Sequence, residues 1–334
     1  MKKHIAILAG GDSSEFPVSM NSARTIKDHL DPAKYHAWLV VVRGDKWYVE
    51  TDNQTRVAVN KDDFSVEMDG ERIHFDCAFI TIHGTPGENG VLQGYFETLR
   101  IPYTTSGVLA SSLTFNKLFS KRYMEGFGVN ISNYQLLRHS DEYDPQAIIG
   151  KTGLPCFVKP NRGGSSFGVT KVTSADELSR AIEKAFEEDH QVLVEAYLEG
   201  TELTCGLFKS GGEEWVFPPT EIVSKKEFFD YEAKYTQGMA DEITPARISD
   251  KLDQDVRELS SRLYDLFDCR GIVRIDYIYA HERLYFMEVN TIPGMSAASI
   301  VPQQIRAMGY TLQEMFTLAI EDAITHNQKE GLRK

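Results

Sequence analysis

Apolar and polar positions alternate most clearly in two neighbouring runs near the C-terminus, Gly271-Ile272-Val273-Arg274-Ile275-Asp276 and Tyr285-Phe286-Met287-Glu288-Val289-Asn290. The pattern predicts two strands joined by the short polar connection Ala280-His281-Glu282-Arg283. Side chains two apart on a strand share a face. Arg274 therefore shares one with Asp276, and Glu288 with Asn290. Asp276 and Glu288 are expected on the same face of adjacent strands. Oxygen-bearing side chains on otherwise buried strands are costly unless something compensates their charge. Asp, Glu and Asn oxygens suit a hard cation such as Mg2+, which usually also takes phosphate oxygens from a nucleotide.

Upstream, apolar runs predict strands over 5–9, 36–42 and 78–82, and a short strand at 101–103. Helices are predicted over 19–30, where residues 12–15 offer a cap, and over 90–99. Strands alternating with helices imply a small parallel α/β domain spanning 1–106. A second unit, 107–196, reads as a helix over 111–126, strands over 134–137, 156–159 and 169–172, a helix over 175–187 and a strand over 192–195. The third unit, 197–334, holds strands over 203–208 and 214–217, then a polar stretch over 224–245 long enough to expect a functional loop. A helix over 251–267, the two alternating strands and two helices after Ile300 complete it. The fold class is α/β, with α+β character in the two later domains.

The chain has 334 residues, 42% hydrophobic and 25% charged, as an ordinary soluble globular protein has. Its net charge of −13, without a basic block, argues against a nucleic-acid partner. Cys77, Cys156, Cys205 and Cys269 are far apart and lie in or beside apolar stretches, which favours buried free thiols. The apolar run after Met1-Lys2-Lys3 stops at Gly10-Gly11-Asp12, too short for a signal peptide, and nothing approaches a membrane helix. A cytoplasmic protein with no membrane partner is expected.

Several segments could carry chemistry. Lys159-Pro160-Asn161-Arg162-Gly163-Gly164-Ser165-Ser166-Phe167-Gly168 lies between two strands and lacks the features of a Walker or Rossmann loop. Its small residues could close as a flap over phosphate oxygens, or form an ordinary glycine-rich hairpin turn. Glu195 and Glu202, leaving one strand and entering another, could accept from an adenine amine and a ribose, or be solvated surface carboxylates. His83-Gly84-Thr85-Pro86-Gly87-Glu88-Asn89-Gly90 follows a strand of the first domain, where open α/β sheets bind ligands. Gly10-Gly11 with Glu15 makes a similar site, although Glu15 could simply complement a helix dipole. Asp230-Tyr231-Glu232-Ala233-Lys234-Tyr235 sets a cation between two phenols in the long loop. Pro293-Gly294-Met295-Ser296-Ala297-Ala298-Ser299 could present N–H groups and a hydroxyl to an oxyanion or carboxylate, or only cap a helix.

Taken in order, these segments resemble the ATP-grasp superfamily and, within it, the D-alanine–D-alanine ligases, over nearly the whole chain. The resemblance implies a three-domain ATP-grasp fold with ATP between the central and C-terminal domains. It implies that Asp276, Glu288 and Asn290 ligate two Mg2+ ions, with Mn2+ as an alternative. Lys117 and Lys159 would hold phosphates, with Lys234 reaching in from the loop and Ser165 and Ser166 in the flap. Glu195, with Ala196 and Leu198 beside it, would bind adenine, and Glu202 the ribose. Glu15 would bind the ammonium of the first D-alanine, linked to Ser165 and Tyr235, and His83 would sit by its carboxylate. Arg274 and the Gly294 backbone would form an oxyanion hole, and Ser299 would hold the second D-alanine.

The implied chemistry suits these residue types. A carboxylate is a poor acyl donor until ATP converts it to an acyl phosphate. An acyl phosphate hydrolyses in water, which gives a closing flap and loop a physical reason. The amine of the second D-alanine then attacks. Relatives that use D-lactate differ in the loop holding Tyr235, and this chain keeps the tyrosine. A D-alanine–D-lactate or D-alanine–D-serine ligase is the alternative, followed by a non-catalytic ATP-binding protein. Family members are commonly homodimers.

Overall fold

The computed structural model describes residues 2–51, 55–164, 167–224 and 240–329, whose strands form three sheets. In the first, β1 (Lys3–Gly10) pairs in parallel with β2 (Tyr35–Arg43) and β7 (Cys77–Ile80), and a parallel bridge joins Ala78 to Tyr103. Strand alternation divides β1 between two cores. Ile5, Ile7 and Ala9 pack with Met20, Ala23 and Ile26 of α1 (Phe16–His29), whereas Ala6 and Leu8 pack with Leu92 and Phe96 of α2 (Val91–Leu99). The helix expected to begin at Ser19 starts earlier, because Pro17 sits in its first turn, where a missing N–H costs nothing. Beyond β2 the sheet continues antiparallel through β3 (Lys46–Glu50), β4 (Arg56–Asn60), β5 (Ser65–Met68) and β6 (Glu71–His74). The parallel expectation therefore holds only over β2, β1 and β7, at one end of the sheet. The added strands are only four or five residues long, so each offers too few positions for a clear apolar signal.

The second sheet is antiparallel throughout, in the order β10-β9-β11-β8: β8 (Tyr134–Arg138), β9 (Cys156–Pro160), β10 (Thr170–Val172) and β11 (Gln191–Ala196). The single helix expected over 111–126 is two, α3 (Val108–Phe115) and α4 (Lys117–Glu125). Asn116 leaves helical geometry between them and caps α4, its Oδ1 accepting from Phe119 N at 3.1 Å. Asn161 of the flap fixes this break: its Nδ2 donates to Asn116 Oδ1 at 3.0 Å and its Oδ1 accepts from Leu118 N at 2.8 Å. The apolar pattern of 111–126 runs through the break, which is tertiary in origin. Helices α5 (Pro145–Thr152) and α6 (Leu178–Phe186) back this sheet.

The third sheet runs β15-β14-β12-β16-β17, with β13 also on β12: β12 (Thr201–Ser210), β13 (Glu213–Val216), β14 (Thr220–Ser224), β15 (Ala240–Ile243), β16 (Val273–Ala280) and β17 (Arg283–Asn290). Leu252, Val256 and Leu263 of α7 (Asp250–Leu266) cover Leu203, Cys205, Val273 and Ile275. After α8 (Ile300–Ala307), α9 (Leu312–Lys329) returns to the first sheet. Phe316 lies edge-on to Phe79 at 5.6 Å, and Glu321 pairs with Lys3 at 2.6 Å. Phe208, Phe217, Ile272 and Met295 join the same cluster, so the first and third sheets share a core. Backbones touch where they meet: at Gly271 (φ +66°) a Cβ would stand 2.0 Å from Thr104 O. All four cysteines are free and buried. Among the described residues, no helix is long and apolar enough to cross a membrane.

Candidate active site

Strands β16 and β17 meet in a register that sets Asp276 opposite Glu288 and Arg274 opposite Asn290. Directly opposed residues of an antiparallel pair share a face, so these four side chains stand together, as the alternation predicts. A bulge after Asp276 brings Tyr277 opposite Phe286. It adds one residue to β17, which lets Tyr277 and Phe286 both enter the core while Asp276 and Glu288 remain outside it. Asp276 Oδ1 accepts from Thr204 Oγ1 at 2.5 Å and from Arg274 Nε at 2.8 Å. Its Oδ2 accepts from Arg274 Nη2 at 2.8 Å and from Asn290 Nδ2 at 2.9 Å.

Lys117, at the start of α4, ties this face to the flap. Its Nζ donates to Gly163 O at 2.9 Å and lies 3.4 Å from Glu288 Oε2. The flap is anchored on its other side by Arg162, which grips Asp189 through Nε (3.2 Å) and Nη2 (2.7 Å). Lys159, on β9, pairs with Glu195 of β11, as does Lys121 of α4. Ser132 Oγ also donates to Glu195. Glu195 is 2% exposed, which removes the surface-carboxylate reading. Despite burial, the two ammonium groups hold its carboxyl well below the usual range.

A second cluster lies between the first sheet and the flap. Glu15 occupies the N-cap position of α1 but makes no side-chain cap bond. It is 8% exposed, and a Cβ added to Gly164 would stand 2.9 Å from its Oε2. The backbone at Gly164 thus passes directly against this carboxylate. Ser13 stitches the loops after β1 and β7, accepting from Glu15 N at 3.3 Å and donating to His83 O at 3.1 Å. His83 is buried, and its Nε2 has no hydrogen-bond partner among the described residues. A buried ring nitrogen without a partner needs one, and a bound ligand would supply it. Burial pushes its imidazole pKa down, against the opposing field of Glu15.

The 293–299 segment closes the other end. Met295 N donates to Ser22 Oγ of α1 at 3.0 Å, and a Cβ on Gly294 would lie 2.9 Å from Ser299 Oγ. Ser299 is the N-cap residue of α8, yet its hydroxyl meets Ser296 Oγ at 2.7 Å and caps nothing. Helix capping therefore does not explain this hydroxyl. Ala297 and Ala298 beside it are exposed.

Ser165, Ser166, Lys234 and Tyr235 lie outside the described residues. Ala196 gives its N–H to Asn133 O at 2.8 Å, leaving only its carbonyl for a ligand. Leu198 is half-buried, as is Glu202 on β12. Sequence reasoning did not single out Thr204, Lys121 or Ser132. Each is an ordinary residue in its own segment, and only the fold shows what it touches.

Glu88 accepts from Gly84 N at 2.7 Å. Burial and then the nearby Glu15 push its carboxyl up to about 8 from an ordinary 4.5. A carboxyl with a raised folded-state pKa contributes stability that is complete below its unfolded value and lost as pH rises through about 8. Glu88→Gln should therefore lose less stability than wild type between pH 5 and pH 8, measured by urea unfolding at both values.

The residues fit a divalent cation by chemistry. Among the described residues no group of three His, Cys, Asp or Glu side chains could hold a metal. The set on offer is two carboxylates and an amide oxygen, hard ligands of the kind Mg2+ takes. Asp276 already accepts four hydrogen bonds, about the capacity of a carboxylate. A cation entering here must displace a donor, and the Arg274 fork is the pair whose charge it would replace.

Family models match in two blocks, "D-ala D-ala ligase N-terminus" over residues 4–106 and "D-ala D-ala ligase C-terminus" over residues 123–321. A D-alanine–D-alanine ligase of Phocaeicola vulgatus is 48% identical over 323 residues, covering 96% of this chain and 99% of that protein. Among solved structures, D-alanyl-alanine synthetase A from Vibrio cholerae superposes with a TM-score of 0.87 at 29% identity, covering 97% of this chain and 99% of that one. The VanG D-Ala:D-Ser ligase from Enterococcus faecalis superposes with a TM-score of 0.84 at 30% identity, covering 98% and 100%.

Proposed function

This chain belongs to the D-alanine–D-alanine ligase family, and from that premise we propose how its residues divide the work of the reaction. The activity is ATP-dependent ligation of two D-alanine molecules for peptidoglycan synthesis, in a family that uses ATP and a divalent metal. In this reading residues 1–106 carry the first D-alanine site, 107–196 the phosphate flap and 197–334 the metal face. Asp276, Glu288 and Asn290 hold two Mg2+ ions, or Mn2+ in their place. Bound there, the ions would neutralise charge on the transferring phosphoryl group.

The protein's own residues do the rest. Lys117 and Lys159 hold phosphate oxygens, joined by Lys234 and by Ser165 and Ser166 of the flap. Glu195, Ala196 and Leu198 bind adenine, and Glu202 the ribose. Glu15 binds the first ammonium, supported by Ser165 and Tyr235, while His83 meets the carboxylate that becomes an acyl phosphate. Arg274 and the Gly294 backbone donate to the tetrahedral oxyanion as the second amine attacks. Ser299 holds the second D-alanine by its carboxylate. The reaction runs in the cytoplasm, in a homodimer, with no nucleic-acid or membrane partner.

One observation carries this reading: Lys117 reaches both Gly163 O of the flap and Glu288 of the metal face. A nucleotide's phosphates belong where a lysine, a flap and a carboxylate pair converge. The D-Ala:D-Ser ligase shares the fold almost as closely as the D-alanyl-alanine synthetase does, so fold alone does not choose the second substrate. An ADP-release assay with D-alanine, L-alanine and D-lactate in parallel decides it. D-alanine alone should support turnover and give the dipeptide by mass spectrometry. Preferred use of D-lactate, or of D-serine in competition, would reassign the second site.

A further inference from the structure

Glu195 is met by two cations, and one carboxylate needs only one. Lys121 comes from α4 and reaches Oε1, and Lys159 comes from β9 and reaches Oε2. Lys121 is fully buried, with Ser132 Oγ at 3.4 Å from its Nζ as a further contact. Lys159 is 12% exposed and stands one residue before Pro160, where β9 gives way to the flap. Other charge acts from farther off. Glu288 of β17 adds a weaker field at Lys121, and Lys117 is its nearer partner. Burying a second ammonium beside a neutralised pair is a poor way to gain stability. Desolvation acts on Lys121 in that sense, lowering its pKa.

The surplus cation becomes useful if one lysine leaves. Lys159 is the lysine on the flap side, and the reading above gives it to a phosphate. Once a phosphate takes Lys159, Oε2 of Glu195 is open to an N–H donor. Lys121 then remains as the only ammonium on the carboxylate. We propose that Lys121 is a positioning residue for base recognition: it is the fixed counter-ion that keeps Glu195 ionised and in place to accept the 6-amino group of ATP while Lys159 moves between Glu195 and the phosphates. This rests on Glu195 as the adenine acceptor. A 6-oxopurine presents an acceptor where adenine presents a donor. An ionised Glu195 therefore rejects it, and the two lysines together couple base recognition to phosphate binding.

The test uses the full chain with ATP and ITP as alternative substrates, reading D-alanine-dependent phosphate release. Lys121→Met should raise KM for ATP and lower the ATP-to-ITP ratio of kcat/KM by at least about tenfold, with kcat much less changed. Lys121→Arg, which keeps the charge, should restore much of the ratio. In the double variant Lys121→Met/Glu195→Gln the ratio should match that of Glu195→Gln alone, because a residue acting only through Glu195 adds nothing once Glu195 is neutral. Lys121→Met leaves Glu195 paired with Lys159 before nucleotide binds, so the single variant keeps a neutralised pair and should fold. A folded Lys121→Met enzyme with the wild-type ratio, or additive losses in the double variant, overturns the proposal. If Glu195→Gln leaves the ratio unchanged, the adenine reading of Glu195 itself falls. If Glu195→Gln lowers it and Lys121→Met does not, only the role of Lys121 falls.

Discussion

Replacing Asp276 by Asn is expected to abolish D-alanine-dependent phosphate release, a loss of about a thousandfold or more, the scale of losing a principal source of transition-state charge stabilisation. The substitution keeps the shape of the side chain and removes its charge. It also turns one of two acceptor oxygens into a donor, facing a site where Thr204, Arg274 and Asn290 all donate. The Arg274 fork then loses its bidentate partner, which a neutral amide cannot replace. Asp276 lies outside the cores that hold the three sheets together, so the protein should still fold, with an unchanged circular-dichroism spectrum. Turnover retained in the folded variant would contradict the placement of the metal face.

The second large effect is expected from Glu15→Gln, which should lower kcat/KM for D-alanine by about a hundred- to a thousandfold, the range for removing one partner of a buried charge pair. KM for ATP should be nearly unchanged, because Glu15 stands with His83, Gly84 and Gly164. A carboxylate whose only task was to complement the helix dipole would cost a few tenths to one kcal/mol of stability, about fivefold at most in an equilibrium. Steady-state kinetics with each substrate varied separately tell the two apart. A small and equal effect on both substrates would return Glu15 to the helix terminus.

How much of this was legible in the sequence depended on whether a signal was local. The face of β16 and β17 could be read because alternation is a property of a few consecutive residues, and Asp276 and Glu288 each sit between apolar neighbours. The bulge after Asp276 could not, since the extra residue on β17 shows only against its partner strand. Strands β3 to β6 were missed because each is only four or five residues long, too short for a clear alternation. Helix α5 was hidden by Pro145 and Gly150, although proline suits a first turn and Asp144 caps it, accepting from Gln146 N at 2.9 Å.

The site shows the same division. Glu15, His83, Lys117 and Ser299 came from motif and resemblance; the fold adds that Lys117 reaches Gly163 O, that the Ser299 hydroxyl makes no cap bond and that His83 Nε2 is buried without a hydrogen-bond partner among the described residues. Lys121 looks from the sequence like any helix lysine, and only its burial against Glu195, a carboxylate on another element, marks it. Glu88 was visible as part of a glycine-rich loop, but its raised pKa depends on a neighbour from another loop, Glu15.

The most direct test is a crystal structure of the protein soaked with nucleotide and Mn2+, with the metal located by anomalous scattering. The expected result is metal density within about 2.3 Å of oxygens from Asp276, Glu288 and Asn290, bridging to the phosphates, with Lys117 on the same phosphate group. Density elsewhere, with Asp276 still gripped by Arg274 and Glu288 turned to solvent, would contradict it.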